Sequence, residues 1–259
     1  MSSAAEILAS QLADARRNRR TSAPFPSSAI TTMEDAYALQ DIATTIYGRR
    51  NGYKIGATSP AAQRIMNCDG PFFGPMFAED SHRSGEAIVI DETMLAVECE
   101  FAFRIGPISR PFVGGETAES IASVIESCHP AIEIVGRRVA SEGFPAIVDA
   151  ISDFGLNARF VVGDEIPDWE ALDLAGSEVR ALVDGTETNA GSGAQVYGHP
   201  LAALAWLANA LTAQGKSLEE GDWVSTGTCL GIVPIRADSE VVADFGPLGS
   251  VSVEFLGRK

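Results

Sequence analysis

The stretch Met94–Gly106, MLAVECEFAFRIG, constrains the fold more than any other part of the chain. Its Val, Phe and Ile content and its lack of proline predict a β-strand. Successive side chains on a strand point to opposite faces, so residues two apart share a face at roughly 6.5–7 Å spacing. One face then carries Val97, Cys99, Phe101 and Phe103, which read as core. The other carries Ala96, Glu98, Glu100 and Ala102, two carboxylates framed by small residues with open space above them. Two anions fixed on one rigid face repel each other unless a cation, an Arg or a Lys lies between them. Oxygen ligands of this kind suit hard divalent cations such as Mg2+. An ordinary amphipathic strand with a solvated glutamate face would show the same pattern.

A chain of 259 residues suits one large domain, or one domain with a small N-terminal addition. Its 46% hydrophobic and 21% charged residues describe an ordinary globular protein able to bury a sizeable core. The net charge of −16 argues against nucleic acid and anionic membranes as partners. It also makes an anionic substrate awkward unless a local cation or a lysine inverts the field. No segment reaches the ~18 consecutive apolar residues of a membrane span. The N-terminal MSSAAEILASQLADARRNRR lacks the apolar run and cleavage site of a signal peptide, so cytoplasm is the default expectation. Cys68, Cys99, Cys128 and Cys229 are scattered without metal-finger spacing, and Cys99 and Cys229 sit in apolar runs where buried free thiols are common.

Apolar spacing at Ile7, Leu8, Leu12 and Ala15 predicts a helix over Ala4–Arg17, ending in a basic cluster, Arg16–Arg20, that reads as a solvated helix end. Ser22–Ser28, with two prolines, is a connector. Thr31-Thr32-Met33-Glu34 has capping-box form and opens a helix through Tyr37, Ile42 and Ile46. Asn51-Gly52 marks a turn before a short strand-like Tyr53-Lys54-Ile55-Gly56. From local pattern alone Lys54 reads as an exposed lysine on a half-buried strand. Pro60–Asn67 predicts one or two helical turns, and Gly70–Pro75 a stiff loop. From Ala87 onward short apolar runs alternate with Gly, Pro and Asp turns, which predicts a β-rich region. The candidate strands are Ala87–Ile90, Ala96–Ile105, Ala131–Val135, Ala158–Val162, Glu178–Val183, Trp223–Thr226, Gly231–Pro234 and Val251–Phe255. Helices over Glu116–Ser127 and Leu201–Gln214 interrupt them. The expected boundary falls near residues 80–87, dividing a helical part carrying Lys54 (1–82) from a β-rich, metal-binding part (83–259).

Glu133 is a lone carboxylate in the apolar run Pro130–Val135, and such a charge is costly to bury unless paired or bound to metal. It serves either as a third metal ligand or as an edge-strand glutamate facing water. Asp222–Thr228, DWVSTGT, is a strand ending in hydroxyls and glycine that can receive a carboxylate, or simply a polar turn. Gly185–Gly198 either covers a ligand or forms a surface loop. A phosphate-binding P-loop is missing from the sequence, and so is a Gly-x-Ser-x-Gly elbow; the histidines are His82, His129 and His199.

Taken together, Gly52–Ser59 (GYKIGATS), Glu98-x-Glu100, Ala131–Val135 (AIEIV) and Gly221–Thr228 (GDWVSTGT) fall in an order that resembles the fumarylacetoacetate hydrolase superfamily. The chain looks most like the branch of 2-keto-4-pentenoate (2-hydroxypentadienoate) hydratases and 4-oxalocrotonate decarboxylases. The likeness extends from Asp35-Ala36-Tyr37-x-x-Gln40 to Gly198-x-Pro200-Leu201 with Trp206-Leu207, nearly the whole chain. The resemblance implies an α+β fold, a mixed β-sandwich roll with an N-terminal helical part. It implies a divalent metal, Mg2+ or Mn2+, held by Glu98, Glu100 and Glu133, with Lys54 as the active-site lysine. Thr226 would lie near the substrate carboxylate, and Ser59 would join it in substrate binding.

The implied activity is a lyase acting on a 2-hydroxy-dienoate or 2-keto-enoate, either adding water or, as a decarboxylase, losing CO2. A carbon–carbon hydrolase fits less well, because hydrolases of the superfamily use an N-terminal His–Glu pair and no histidine precedes His82. A non-catalytic partner subunit is the remaining alternative, since members of this branch work as complexes; a homo-oligomer is expected. Two departures from the family pattern stand out. Gly136-Arg137-Arg138 replaces an Asp-Ser-Arg run, and Asp153-Phe154-Gly155-Leu156-Asn157 replaces an Asp-Asn-Ala-Ser-like turn. With Phe154 and Leu156 at that turn, the far end of the pocket is expected to be unusually apolar.

Overall fold

The structure, a computed structural model, describes residues 4–26, 29–140, 143 and 145–258; the last two residues of the Ser22–Ser28 connector lie outside them. In chain order its elements are α1 (Ala4–Arg17), α2 (Met33–Tyr47), β1 (Arg50–Gly56), α3 (Pro60–Met66), β2 (Phe72–Phe77), β3 (Ser81–Arg83) and β4 (Ala87–Val89). There follow β5 (Met94–Ile105), α4 (Ala118–Ala122), β6 (Ile125–Gly136), α5 (Ile147–Ser152), β7 (Asn157–Val162), β8 (Glu178–Val183) and β9 (Thr186–Ser192). The chain closes with α6 (Pro200–Ala213), β10 (Trp223–Pro234), β11 (Ser239–Asp244) and β12 (Ser250–Leu256). One sheet has the order β2-β1-β10-β5-β6-β7-β3 and the other β4-β12-β11-β8-β9. Both are mixed: β1 pairs with β10, β3 with β7 and β12 with β4 in parallel, while the β5–β6 and β11–β12 pairs are antiparallel. This is the α+β architecture expected of the sequence.

The alternation in β5 organises the interior. Val97, Cys99, Phe101 and Phe103 are fully buried in one core that also holds Val179, Val241, Val253 and Phe255 of the second sheet. Ala203, Leu204, Leu207 and Leu211 of α6 complete it. Phe101 meets Phe245 edge to face with ring centroids 5.0 Å apart. The opposite face of β5 turns inward within the first sheet, which curls strongly. Two strands, β10 and β5, separate β1 from β6, a distance of ~14 Å in a flat sheet at ~4.8 Å per strand. Yet Lys54 of β1 contacts Glu133 of β6. Irregular register in β10 near Ser225–Ile232 supplies local bending, and Met76 of β2 packs with Phe160 of β7. Where β2 passes the turn before β7 there is no room for a side chain: a Cβ on Gly74 would collide with the Phe154 carbonyl.

Several elements differ from the sequence expectations, each for a tertiary reason. The helix expected over Glu116–Ser127 is confined to α4, capped by Thr117 with Ser120. From Ile125 the chain is strand, because β6 pairs along nearly the whole of β5, from Ile105↔Ile125 to Met94↔Gly136. The expected stiff loop at Gly70–Pro75 holds most of β2, an edge strand where Pro75 removes no needed ladder bond. Trp223–Thr226 and Gly231–Pro234 are parts of one strand, β10. The Gly185–Gly198 segment contributes β9, joined to β8 by an Asp184-Gly185 turn with φ of 50° and 76°, the positive values a tight hairpin requires. The cap of α2 is Thr32, whose hydroxyl accepts from the Asp35 amide at 3.1 Å, so the box is displaced by one residue from Thr31–Glu34. Residues 1–82 supply α1–α3 together with β1 and β2 of the main sheet, so Lys54 stands on the same sheet as the carboxylates. Arg16 is not part of a solvated helix end: it is 2% exposed and paired with Asp80 at 2.9 Å.

Candidate metal centre and active site

Register places the acidic residues together. Glu98 of β5 stands directly opposite Glu133 of β6, and Glu100 opposite Thr228 of β10. One carboxylate oxygen from each of Glu98, Glu100 and Glu133 lies within 4.8 Å of the other two. Glu100 and Glu133 are fully buried, and Glu98 is half-buried. Glu133 is therefore an interior residue rather than an edge glutamate facing water. Lys54 is 2% exposed, against the exposed position its local pattern suggested. Its Nζ lies 3.1 Å from Glu133 Oε2, an ion-pair contact whose angle is not that of a hydrogen bond.

The surrounding groups hold two of the carboxylates in place. Glu100 Oε2 accepts from Ser225 Oγ at 2.6 Å and from the Gly227 amide at 2.8 Å. Gly227 has φ of 105°, and a Cβ there would collide with the Thr58 side chain, so glycine is required for this amide to reach Glu100. Glu133 Oε1 accepts from Asn157 Nδ2 at 3.1 Å. Glu100 Oε1 is buried with no hydrogen-bond partner.

Three carboxylates against one lysine leave the cluster with excess negative charge in a low-dielectric interior. Burial pushes Glu98 up to about 7; Lys54 opposes the shift and Glu133 adds to it. Burial likewise raises Glu100, with Glu133 and Glu98 adding to the effect. Glu133 is also raised by burial, with Lys54 and Asn157 opposing. Burial alone would lower Lys54, but Glu133, Glu98 and Glu100 outweigh it and hold the ammonium above its ordinary range. A divalent cation fits this donor set. It would meet three converging carboxylates, satisfy the orphaned Glu100 oxygen and neutralise charge that the protein leaves uncompensated.

Above the cluster lies a cavity of about 330 Å3, lined by Lys54 and Glu98, by Ser59 and Gln195, and by Phe72, Val135, Leu156 and Ile232. Ser59 is also the N-cap of α3, accepting from the Ala62 amide at 3.2 Å. Thr226 does not reach the cavity: it is fully buried and its hydroxyl donates to the Phe101 carbonyl at 2.8 Å. Its neighbour Thr228 lines the wall instead. Of the two apolar residues expected at the pocket end, Leu156 lines the cavity. Phe154 packs into the core against Tyr47 and Phe77. Sequence reasoning missed Ser225 and Asn157. Ser225 lay inside the hydroxyl run of β10, where alternation separates it from Thr226; Asn157 closed the Asp153–Asn157 turn, where Phe154 and Leu156 carried the signal instead.

A family model described as fumarylacetoacetate (FAA) hydrolase C-terminal matches residues 66–257. The chain belongs to the fumarylacetoacetate hydrolase family. Within it the chain is 33% identical over 231 residues to a TodF product hydratase of Pseudomonas putida, covering 87% of this chain and 85% of that one. It is 31% identical over 258 residues to a 2-keto-4-pentenoate hydratase of Burkholderia vietnamiensis, covering 96% of both. Among solved structures it superposes on a 4-oxalocrotonate decarboxylase of Pseudomonas putida, complexed with magnesium and adipate. That match has a TM-score of 0.87, 26% identity and 97% coverage of both chains. The hydratase branch and the mixed-sheet fold of this family are thus those the sequence motifs pointed to.

Proposed function

We propose that the protein is a divalent-metal-dependent hydratase, a lyase that adds water to a 2-hydroxy-dienoate or 2-keto-enoate. The observation that carries this reading is the cluster of Glu98, Glu100 and Glu133 with Lys54 at the base of a small, largely apolar cavity. The hydratase relatives, aligned over nearly the whole chain, support it. Glu98, Glu100 and Glu133 would hold Mg2+ or Mn2+, which supplies Lewis-acid polarisation of the keto acid's oxygens. Lys54 enters the reaction as an ammonium, placed to bind the substrate carboxylate or to donate a proton during tautomerisation and water addition. Ser59 and Gln195 offer polar contacts on the wall, and we retain Ser59 as a substrate-binding residue. Thr226 acts by fixing β10 against β5 rather than by contact, with Thr228 taking the wall position. Phe72, Val135, Leu156 and Ile232 offer apolar contacts to the substrate's carbon chain.

The division of the chain is functional in this reading: residues 1–82 bring the lysine and residues 83–259 the carboxylates. A cytoplasmic homo-oligomer, free or in complex with a decarboxylase relative, is the proposed assembly. Among the described residues no helix is long and apolar enough to cross a membrane. The second reading, decarboxylation, is favoured by the superposition on 4-oxalocrotonate decarboxylase. The test is to supply the purified protein and Mg2+ separately with a 2-hydroxydienoate and with a 4-oxalocrotonate-type 2-keto-dienoate bearing a second carboxylate, following loss of near-ultraviolet absorbance and release of CO2. Absorbance loss without CO2 is expected. Stoichiometric CO2 would replace the hydratase by the decarboxylase, and no turnover of either substrate class would refute both.

A further inference from the structure

Arg16, at the end of α1, is buried far from the solvent that its basic neighbours face. Its Nε donates to Asp80 Oδ2 at 2.9 Å and its Nη1 to the Asn157 carbonyl at 2.7 Å. Its Nη2 donates to Asn157 Oδ1 at 2.9 Å and to the Ala158 carbonyl at 3.2 Å. The guanidinium also lies over the rings of Phe77, Phe154 and Tyr47, at 4.6, 5.0 and 5.1 Å from their centroids. Four hydrogen bonds and three surrounding rings thus hold the guanidinium in place. Asn157, 1% exposed at the start of β7, spans the gap between this guanidinium and Glu133.

Chemistry fixes which way the amide points. A guanidinium only donates, and an ionised carboxylate only accepts. The amide oxygen must therefore face Arg16 and the NH2 must face Glu133, as the structure has it. A leucine here would leave Glu133 Oε1 without a donor, and an aspartate would add a fourth anion to the cluster. We propose that Arg16 and Asn157 form a positioning relay, in which Arg16 fixes the Asn157 amide and the amide holds the Glu133 carboxylate in its cation-binding pose. The N-terminal helix thereby takes part in building the metal centre, although no residue of it reaches the cavity. This rests on the metal site proposed above, and neither residue is catalytic.

The alternative is that the two residues only staple α1 to the sheet. Calorimetric titration of the full-length protein with Mg2+, with thermal unfolding in parallel, separates the two. Partners one step behind a metal ligand typically contribute 10–100-fold in affinity. Asn157→Leu should raise the Mg2+ Kd by about that factor. Arg16→Met should raise it less, because the amide remains but can turn. The double variant should match Asn157→Leu alone, because Arg16 acts only through the amide. If Arg16→Met fails to fold, Arg16→Lys takes its place. It keeps a cation but loses the planar fork, so its Kd should fall between those of wild type and Asn157→Leu. A folded Asn157→Leu within twofold of the wild-type Kd overturns the relay and leaves a staple, whatever its thermal midpoint. Additive effects in the double variant overturn the part assigned to Arg16. A wild-type protein that binds no Mg2+ removes the metal site and the relay together.

Discussion

Replacing Glu98 by Gln should stabilise the metal-free protein while removing its response to Mg2+. Desolvation of its half-buried carboxyl pushes Glu98 up to about 7, against 4.5 for an unperturbed glutamate. A folded-state value above the unfolded one means that the native protein holds the proton more tightly. The stability linked to this proton is fully present below pH ~4.5 and is lost as pH rises through about 7. At ~1.4 kcal/mol per pH unit, the full loss is roughly 3 kcal/mol at pH 8. Glu98 is partly exposed, and its removal takes one counter-charge from Lys54, so about 1–3 kcal/mol is the realistic gain.

For a chain of this size 1 kcal/mol moves Tm by about 2–4 °C. In EDTA at pH 8, Glu98→Gln should then melt roughly 2–12 °C above wild type; near pH 4.5 the two should coincide. Mg2+ should reverse the order at pH 8. Wild type gains about 4.1 kcal/mol at a ligand concentration of about 1,000 Kd, and the variant gains little. Scanning fluorimetry at the two pH values, with EDTA or Mg2+, reads all four conditions. Equal midpoints in EDTA at pH 8 would refute the electrostatic argument. An equal Mg2+ gain in the variant would refute Glu98 as a ligand.

Lys54→Met, similar in length but uncharged, should fold and bind Mg2+ yet lose at least ~100-fold in kcat/KM, the lower end of general acid–base contributions. A folded variant retaining more than about a third of wild-type turnover would rule out a catalytic Lys54. With Leu156 on the cavity wall, a dienoate with an alkyl or hydrogen terminus should be preferred over one ending in a second carboxylate; a kcat/KM ratio favouring the dicarboxylate would sink this. Arg138 and Asp153 form a buried pair at 2.6 Å, so Arg138→Met should cost about 3–5 kcal/mol by leaving Asp153 unpaired. Urea denaturation checks it, and a loss below about 1 kcal/mol would show that the pair is compensated.

Where periodicity met a single environment, the sequence was a faithful guide. α1 covers the expected Ala4–Arg17 and β8 the expected Glu178–Val183, while β5 shows the alternation read from Met94–Gly106. It misled where pairing partners decide the outcome. Ile125–Ser127 looks helical in isolation but lies against the far half of β5. Phe72–Phe77 has the glycine and proline of a loop, yet its place at a sheet edge tolerates both. Ser225 and Thr226 are adjacent hydroxyls in one strand, so they point to opposite faces. Nothing local reveals that the Ser225 face is the one bearing Glu100, because that follows from irregular register between β10 and β5.

The remaining misreadings share one cause. From local pattern alone Lys54 and Arg16 read as surface charges and Glu133 as either a metal ligand or a glutamate facing water, and all three are buried. Patterning assigns charge to water, since an uncompensated buried ion is costly; it cannot show a partner distant in sequence. Here Lys54 finds Glu133 across two intervening strands, Arg16 finds Asp80 and Asn157, and Glu133 finds Asn157. The Arg16 pairing closes: Asp80 is shared with Arg159, and Arg159 also meets Asp91. The three-glutamate cluster does not close, with Glu100 Oε1 unpartnered and one lysine against three carboxylates. Such an imbalance is relieved by proton uptake, the direction in which Glu98 and Glu100 are shifted, or by a cation bound from outside the polypeptide. The incomplete cluster, rather than any motif taken alone, is what supports placing the proposed site on this face of β5.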